Sequence, residues 1–193
     1  MGIEYELKFK ADPQVLQTLE EKIAGPAQHF DMHTTYYDTP SQSLSARWYT
    51  LRRRMENHVS VCTLKTPADG YGRKEFEVNC QKIEDAIPLL CKLGCPPELP
   101  QLVQEGLLEV CGAKFHRIAR TLTLEACTVE LALDQGFLTG GGKQIPLCEV
   151  EVELKSGNPE AAKQFALQLA ALYALAPEPR SKFRRALALY KGE

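Results

Sequence analysis

The sequence is dominated by stretches in which charged and apolar residues alternate one by one. In GIEYELKFK, near the N-terminus, apolar side chains separate Glu4, Glu6 and Lys8. GRKEFEVNC at 72–80 and IPLCEVEVELKSG at 145–157 alternate in the same way. Because successive side chains of a β-strand point to opposite faces, each stretch predicts a strand with one charged face and one apolar face.

The whole pattern predicts a β-rich α+β protein with antiparallel strands and helices in the connections. Strands are predicted over residues 2–10, 48–55, 58–67, 72–80, 114–126, 128–140 and 145–157, with a β-prone segment at 33–40. Helices, whole or partial, are predicted over residues 12–25, 82–94, 97–111, 158–176 and 181–193. No internal repeat, low-complexity tract or linker interrupts the chain, so we expect a single domain over residues 1–193.

The charged residues of these strands are candidates for one shared face. On a single strand such a face is typical of solvent exposure, but here it recurs on strand after strand. The candidate cations are Lys8, Arg52, Arg54, Lys65, Arg73, Arg117, Lys182 and Arg185. The candidate acids are Glu4, Glu6, Glu75, Glu77, Glu130, Asp134, Glu149, Glu151 and Glu153. The two signs are nearly balanced on this face.

Two architectures accommodate such strands. In a sandwich the charged face meets water, whereas in a closed barrel it points inward and helices cover the apolar outside. A charged interior must be satisfied by a ligand, because burying an isolated charge costs many kcal/mol. Arginine suits phosphate oxygens, and carboxylates suit hard cations such as Mg²⁺ or Mn²⁺. The barrel interpretation therefore predicts a small, highly charged phosphate ligand bound together with a metal.

Composition and charge narrow the class of protein. The chain has 193 residues and a net charge of -2, which gives no reason to expect nucleic acid or an anionic membrane as partner. No window is apolar enough to span a membrane, and charge from Glu4 onward argues against a secretory signal, so we expect a cytoplasmic monomer or homodimer. The seven cysteines form no CxxC pair, and the four histidines show no helical metal-ligand spacing. We expect the histidines at the surface or in packing, although His33 could reach the mouth of a tunnel.

Glu4-x-Glu6-x-Lys8 is the first of an ordered set of short segments. The others are TYYDTP, LRRR, TLKT, GRKEFEV, LALDQG, CEVEVEL and SKFRRAL. This ordered set resembles the CYTH superfamily, the triphosphate tunnel metalloenzymes, whose ExExK signature is similar to the first segment. VELALDQG and PLCEVEVELKSG are most similar to the bacterial inorganic triphosphatases. The resemblance implies a closed eight-stranded antiparallel barrel, or tunnel, with a charged interior and helices outside.

The resemblance also implies a role for each charged residue. Metal, Mg²⁺ or Mn²⁺, would be held by Glu4, Glu6, Glu149 and Glu151. The phosphates would be bound by Lys8, Arg52, Arg54, Lys65, Arg73, Arg117, Lys182 and Arg185. The remaining acids would either bind a second metal or hold the arginines in position. They are Glu75, Glu77, Glu130 and Asp134. Glu4, Glu6 and Lys8 are the candidate catalytic residues.

The implied activity is metal-dependent hydrolysis of inorganic triphosphate to pyrophosphate and phosphate. Alternatives are a thiamine or nucleoside triphosphatase, an enzyme like class IV adenylyl cyclases, or a polyphosphate-binding module without catalysis. An organic substrate would need an aromatic wall, for which Tyr36, Tyr37, Trp48 and Tyr71 are candidates.

Two register questions stay open in the sequence. Arg53, between Arg52 and Arg54, would face inward after a slip of one residue. Arg117 and Arg120 face opposite ways on one strand, and we expect Arg117 to face inward.

Overall fold

The structure is a computed structural model that describes residues 5–68 and 73–193. The strands are β1 (Glu6–Lys10), β2 (Gln28–Asp38), β3 (Thr50–Glu56), β4 (Val59–Pro67), β5 (Arg73–Asn79), β6 (Leu108–Thr123), β7 (Cys127–Gly140), β8 (Lys143–Gly157) and β9 (Ala176–Pro177). The α-helices are α1 (Pro13–Lys22), α2 (Ile83–Lys92), α3 (Leu99–Leu102), α4 (Pro159–Leu172) and α5 (Lys182–Lys191). None of these helices is long and apolar enough to cross a membrane. The predicted β-rich, antiparallel α+β class is confirmed.

The strands form one antiparallel sheet in the order β5-β4-β3-β2-β6-β7-β8-β1-β9. Its centre is the pair of hairpins made by β6, β7 and β8, the longest ladders of the sheet. Residues 108–111, predicted to be partly helical, instead begin β6 and pair with the end of β2 through a bulge at Tyr36/Tyr37. Non-local pairing with β2 overrides the local helical pattern there.

The predicted closed eight-stranded barrel is not the architecture that the structure describes. The sheet has nine strands, and within residues 5–68 and 73–193 no ladder joins its outer strands, β5 and β9. The physical reason lies at the outer edge of β1. β9 pairs with Phe9 and Lys10, and the Glu178 backbone N–H donates to the Lys8 carbonyl at 2.9 Å. The edge of β1 from Lys8 to Lys10 is therefore already hydrogen-bonded to another segment and is not free to pair with β5.

Helices cover the apolar face of the sheet in two separate cores. α1 and α4 pack on β1, β7 and β8, where Phe9, Leu131 and Val150 are buried. α2 and α3 pack on β3, β4 and β5 around Leu51 and Leu64. The apolar half of each alternating strand thus lies under helices, which leaves the charged half on the concave side.

The last helix is placed differently, against the concave side at one end of the sheet. Ser181 caps α5 by accepting a hydrogen bond from the Arg184 backbone N–H at 3.2 Å. Phe183 packs on Tyr36 with ring centroids 5.1 Å apart, and Ala186 is fully buried. This position brings the first turn of α5 next to the charged residues of the strands.

Candidate functional site

The concave side of the sheet encloses a cavity of about 550 Å³. Each of the strands β1 to β8 contributes side chains to it, as do the segment before α5 and the first turn of α5. The predicted site residues that line it are Glu6, Lys8, Arg52, Arg54, Lys65, Arg73, Glu75, Glu77, Arg117, Glu130, Glu151 and Lys182. Asp134, Glu149 and Arg185 lie buried behind its wall instead, and Glu4 lies outside the described residues.

The β2–β3 register settles which arginines of LRRR face the cavity. Arg52 pairs with Tyr36 and Arg54 with Thr34, all four of which line the cavity. Arg53 lies on the opposite face, where its Nη1 donates to the Gln81 carbonyl at 3.0 Å. The strand therefore supplies two inward guanidinium groups and one outward one.

The same division applies to β6. Arg117 lines the cavity, whereas Arg120 donates to the Glu20 carbonyl of α1 at 2.9 Å on the outer side. The hairpin register places Arg117 directly across from Asp134. This pairing brings the guanidinium to the buried acids described below.

The half of the cavity formed by β3, β4 and β5 is rich in cations. Burial lowers the pKa of Arg54, and repulsion from Arg52 and Arg117 adds to this effect. The buried Nε of Arg54 meets no hydrogen-bond acceptor among the described residues. Glu56 pairs with the other end of the Arg54 guanidinium. A local excess of positive charge with an unused buried donor is the electrostatic setting that an anion would relieve.

Acids and backbone carbonyls fix the other cations of this half. Glu75 lies 3.4 Å from Lys65 Nζ and 3.5 Å from Arg52 Nη2. Arg73 Nη2 donates to the carbonyls of Trp48 and Lys65, at 2.9 and 3.1 Å. Glu75 thus contacts two cavity cations, and its role as an orienting residue or a ligand of a second metal stays a prediction.

The half formed by β1, β7 and β8 is rich in carboxylates. In the β1–β8 ladder Glu6 is opposite Glu153, and Lys8 is opposite Glu151. Lys8 Nζ lies 2.7 Å from Glu6 and 3.9 Å from Glu151. Burial would lower the pKa of Lys8, but the attraction of these two acids outweighs burial and raises it. Lys8 is therefore held as a cation between the two acids.

Behind this half lies a buried cluster of three carboxylates. Asp134, Glu149 and Glu151 each offer an oxygen, and these oxygens lie within 4.8 Å of one another. Lys182 Nζ lies among them, 2.8 Å from Asp134, 2.6 Å from Glu149 and 2.6 Å from Glu151. A close set of hard oxygen donors fits a divalent cation, and in this structure the Lys182 ammonium takes the central position.

Two arginines complete the buried cluster. Arg117 donates through Nε and Nη2 to both oxygens of Asp134, each at 2.7 Å, and also contacts Glu151. Arg185 pairs with Glu149 on the far side and with Glu178 at 3.9 Å. Arg185 was predicted to bind phosphate, but its place behind the wall makes it a partner of Glu149.

The charges of the cluster shift the pKa values of Lys182 and Glu151 in opposite directions. Burial works against ionisation of both Lys182 and Glu151. The three acids nevertheless raise the pKa of Lys182, and the cations Lys182, Arg117 and Lys8 hold the pKa of Glu151 well below its usual range. Lys182 and Glu151 are therefore both charged at neutral pH.

Two further cavity residues lie at the end of β8: Glu153, which the sequence placed on the charged face without a specific role, and Lys155, which it did not single out. Lys155 Nζ lies 3.0 Å from Glu153 and 3.7 Å from Glu130. The sequence pattern could have identified Lys155, because the alternation that places Glu149 and Glu151 on one face continues through Glu153 to Lys155.

The fold and site together define an antiparallel-sheet protein whose concave face carries a mixed-charge cavity. The sequence matches the CYTH domain over residues 2–187, so the chain belongs to the CYTH domain family, and the predicted resemblance is confirmed. The inorganic triphosphatase of Haemophilus influenzae is 31% identical over 163 residues, which are 80% of this chain and 46% of that protein. This chain thus spans about half the length of that relative.

Solved structures agree with the fold. HpAC1 from Hippeastrum, described as an adenylyl cyclase with a dominant triphosphatase activity, superposes with a TM-score of 0.65 at 18% identity, covering 100% of this chain and 96% of that one. A Bacillus halodurans protein assigned as an adenylate cyclase gives a TM-score of 0.63 at 20% identity, covering 95% of this chain and 96% of that one. At these identities the likeness concerns the fold alone.

Proposed function

We propose that this protein hydrolyses inorganic triphosphate to pyrophosphate and phosphate in a reaction that requires Mg²⁺ or Mn²⁺. The observation that carries the proposal is the uneven charge of the cavity wall: cations outnumber acids among the lining residues of β3 to β6, and acids outnumber cations among those of β1, β7 and β8. A polyanion needs the first set and a divalent cation needs the second. The volume of about 550 Å³ lies within the range of small-molecule sites.

In this proposal the cations of β3 to β5 bind the phosphate oxygens of the substrate. Arg52, Arg54, Lys65 and Arg73 line one side of the cavity, and the Nε of Arg54 is free to donate. Water attacks the terminal phosphorus, and the bond from that phosphorus to the bridging oxygen breaks, which releases pyrophosphate and phosphate. Arginines that face the developing negative charge lower the barrier by electrostatic stabilisation.

The carboxylates are the proposed metal ligands. Asp134, Glu149 and Glu151 form the close oxygen cluster, and Glu6 lines the cavity in front of it. A bound divalent cation would neutralise phosphate oxygens and so favour attack by water. Because Lys182 occupies the centre of the cluster, its ammonium must move aside before a cation can contact all three acids.

The aromatic residues offer little support for an organic substrate. Tyr36 lines the cavity, but it is buried against Phe183. Tyr37 lies on the outer face in the core beneath α2 and α3, Trp48 lies under the Arg184 guanidinium, and Tyr71 is outside the described residues. The 31% identity to an inorganic triphosphatase supports the same choice of substrate.

The test is phosphate release from inorganic triphosphate, thiamine triphosphate and ATP in parallel, with Mg²⁺ or Mn²⁺ and then with a chelator. We expect turnover of inorganic triphosphate that the chelator abolishes. Faster turnover of thiamine triphosphate or ATP would contradict the substrate assignment. Tight binding of triphosphate without phosphate release would identify a binding module.

Neighbouring arginines provide a matched pair of variants. Arg54→Ala removes a cavity cation, whereas Arg53→Ala removes one positive charge from the opposite face of the same strand. Loss of a well-placed donor typically lowers the rate about 10²–10³-fold, so we expect that loss for Arg54→Ala and near-normal turnover for Arg53→Ala. Equal effects of the two substitutions would refute the placement of the substrate.

A further inference from the structure

Three of the four histidines of the chain lie on the outer face of the sheet, away from the cavity, and the fourth, His58, lies in the turn between β3 and β4. His29 and His33 share the outer face of β2 with Asp31, and His116 is opposite Asp31 on β6. His58 follows Asn57, whose side chain accepts a hydrogen bond from the Asp31 backbone N–H at 2.8 Å. His33 thus faces outward, which corrects the expectation that it could reach the mouth of a tunnel.

Two of these rings meet at their nitrogens. His29 Nδ1 lies 3.2 Å from His116 Nε2, and the ring centroids are 5.5 Å apart. Two imidazole nitrogens bound to one tetrahedral metal at about 2.0–2.1 Å would be roughly 3.4 Å apart. The observed spacing is close to that value. The two nitrogens lie at hydrogen-bond distance, so a metal would replace the proton between them, which His29 can carry on Nε2 instead.

A carboxylate supports the second ring. His116 Nδ1 lies 3.0 Å from Asp31 Oδ1, on the opposite side of the ring from His29. A proton on Nδ1 that is donated to Asp31 leaves the lone pair of Nε2 directed towards His29. This carboxylate–histidine arrangement orients metal-ligating histidines in many proteins.

We propose that His29 Nδ1 and His116 Nε2 form a surface site for a late first-row transition metal such as Ni²⁺, Cu²⁺ or Zn²⁺, with Asp31 as a positioning residue. Imidazole ligands suit these ions, whereas Mg²⁺ prefers oxygen. The side chains of His116 and Asp31 are 45% and 87% exposed, so an ion can reach the site from solvent without entering the cavity. The site is therefore chemically and spatially separate from the carboxylate cluster.

The test uses Ni²⁺ as the probe and protein without a polyhistidine tag. Isothermal titration calorimetry is run in excess MgCl₂, so that Mg²⁺ competes with Ni²⁺ for carboxylate oxygens but not for imidazole nitrogens. We expect one Ni²⁺ to bind per chain. His29→Ala and His116→Ala should each weaken binding at least tenfold, and Asp31→Asn should weaken it about tenfold by releasing the ring of His116. Circular dichroism checks that each variant is folded.

Gln135→Ala is the matched control, because Gln135 is an exposed residue directly across from His116 on β7. Unchanged Ni²⁺ binding in this variant supports the site. Absence of Ni²⁺ binding in the unmodified protein, or binding that survives both histidine substitutions, would overturn the proposal.

Discussion

Replacement of Lys182 by methionine tests the buried carboxylate cluster most directly. The substitution removes an ammonium that lies within 2.8 Å of Asp134, Glu149 and Glu151, and keeps an unbranched side chain. We expect two opposite effects. A divalent cation should bind more tightly, because its competitor is gone, and the metal-free protein should be less stable, because three buried acids have lost a partner.

The size of each effect follows from the charges. Two unit charges about 4 Å apart interact by about 1 kcal/mol even in bulk water, so an ammonium and a divalent cation repel by about 2 kcal/mol. That energy is about a 30-fold change in Kd, and it is a lower limit because the cluster is buried. Removal of one partner from a buried ion pair typically lowers the free energy of unfolding by about 3–5 kcal/mol.

Mn²⁺ binding, followed by electron paramagnetic resonance, measures the first effect, and thermal unfolding with and without Mn²⁺ measures the second. Lys10→Met is the control, because Lys10 is half-exposed and pairs with Glu178 outside the cluster. We expect tighter Mn²⁺ binding, and a larger rise in Tm on adding Mn²⁺, in Lys182→Met alone. Unchanged or weaker Mn²⁺ binding in Lys182→Met would refute the idea that a metal and the Lys182 ammonium compete for one place.

Two further predictions concern stability. Arg117→Met leaves Asp134 and Glu151 without their guanidinium partner, and urea denaturation should show a loss of about 3–5 kcal/mol; a loss below 1 kcal/mol would contradict it. For Glu178, hydrogen bonds from Arg180 outweigh burial and lower its pKa from 4.5 to about 2. The resulting stability, up to about 3 kcal/mol, is present above pH 4.5 and lost as the pH falls towards 2. Glu178→Gln should therefore destabilise the protein at pH 7 and change little at pH 2; an equal loss at both would contradict the assignment.

The strand faces could be predicted from the sequence because alternation is a local property. Once Arg52 and Arg54 are placed on a strand, the pairing register of that strand determines which face of the sheet they occupy. The neighbouring hydrophobic residues fix this register. Closure of the sheet is not local. It depends on whether the edge of β1 is available, and that edge is occupied by a segment some 170 residues away, through the hydrogen bond from Glu178 to Lys8.

The same distinction applies to two sets of contacts that the sequence did not predict. Lys182 is on a helix and Glu149 is on a strand, and no spacing rule predicts that the ammonium lies among the three acids. The contact between His29 and His116 was not predicted for a related reason. The two residues are on different strands that pair with each other, and a search for ligand spacing along a helix does not compare such residues.

The unjoined outer strands of the sheet have a mechanical consequence. Within the described residues, β5 and β1 line the same cavity without a ladder between them, so the curvature of the sheet can change without breaking strand pairing. A ligand that contacts both Arg73 on β5 and Glu6 on β1 would therefore connect these two strands across the cavity. Amide protons along the two strands should then exchange more slowly in the ligand-bound protein than in the free protein. The cavity would therefore be narrowest and most rigid when a ligand is bound.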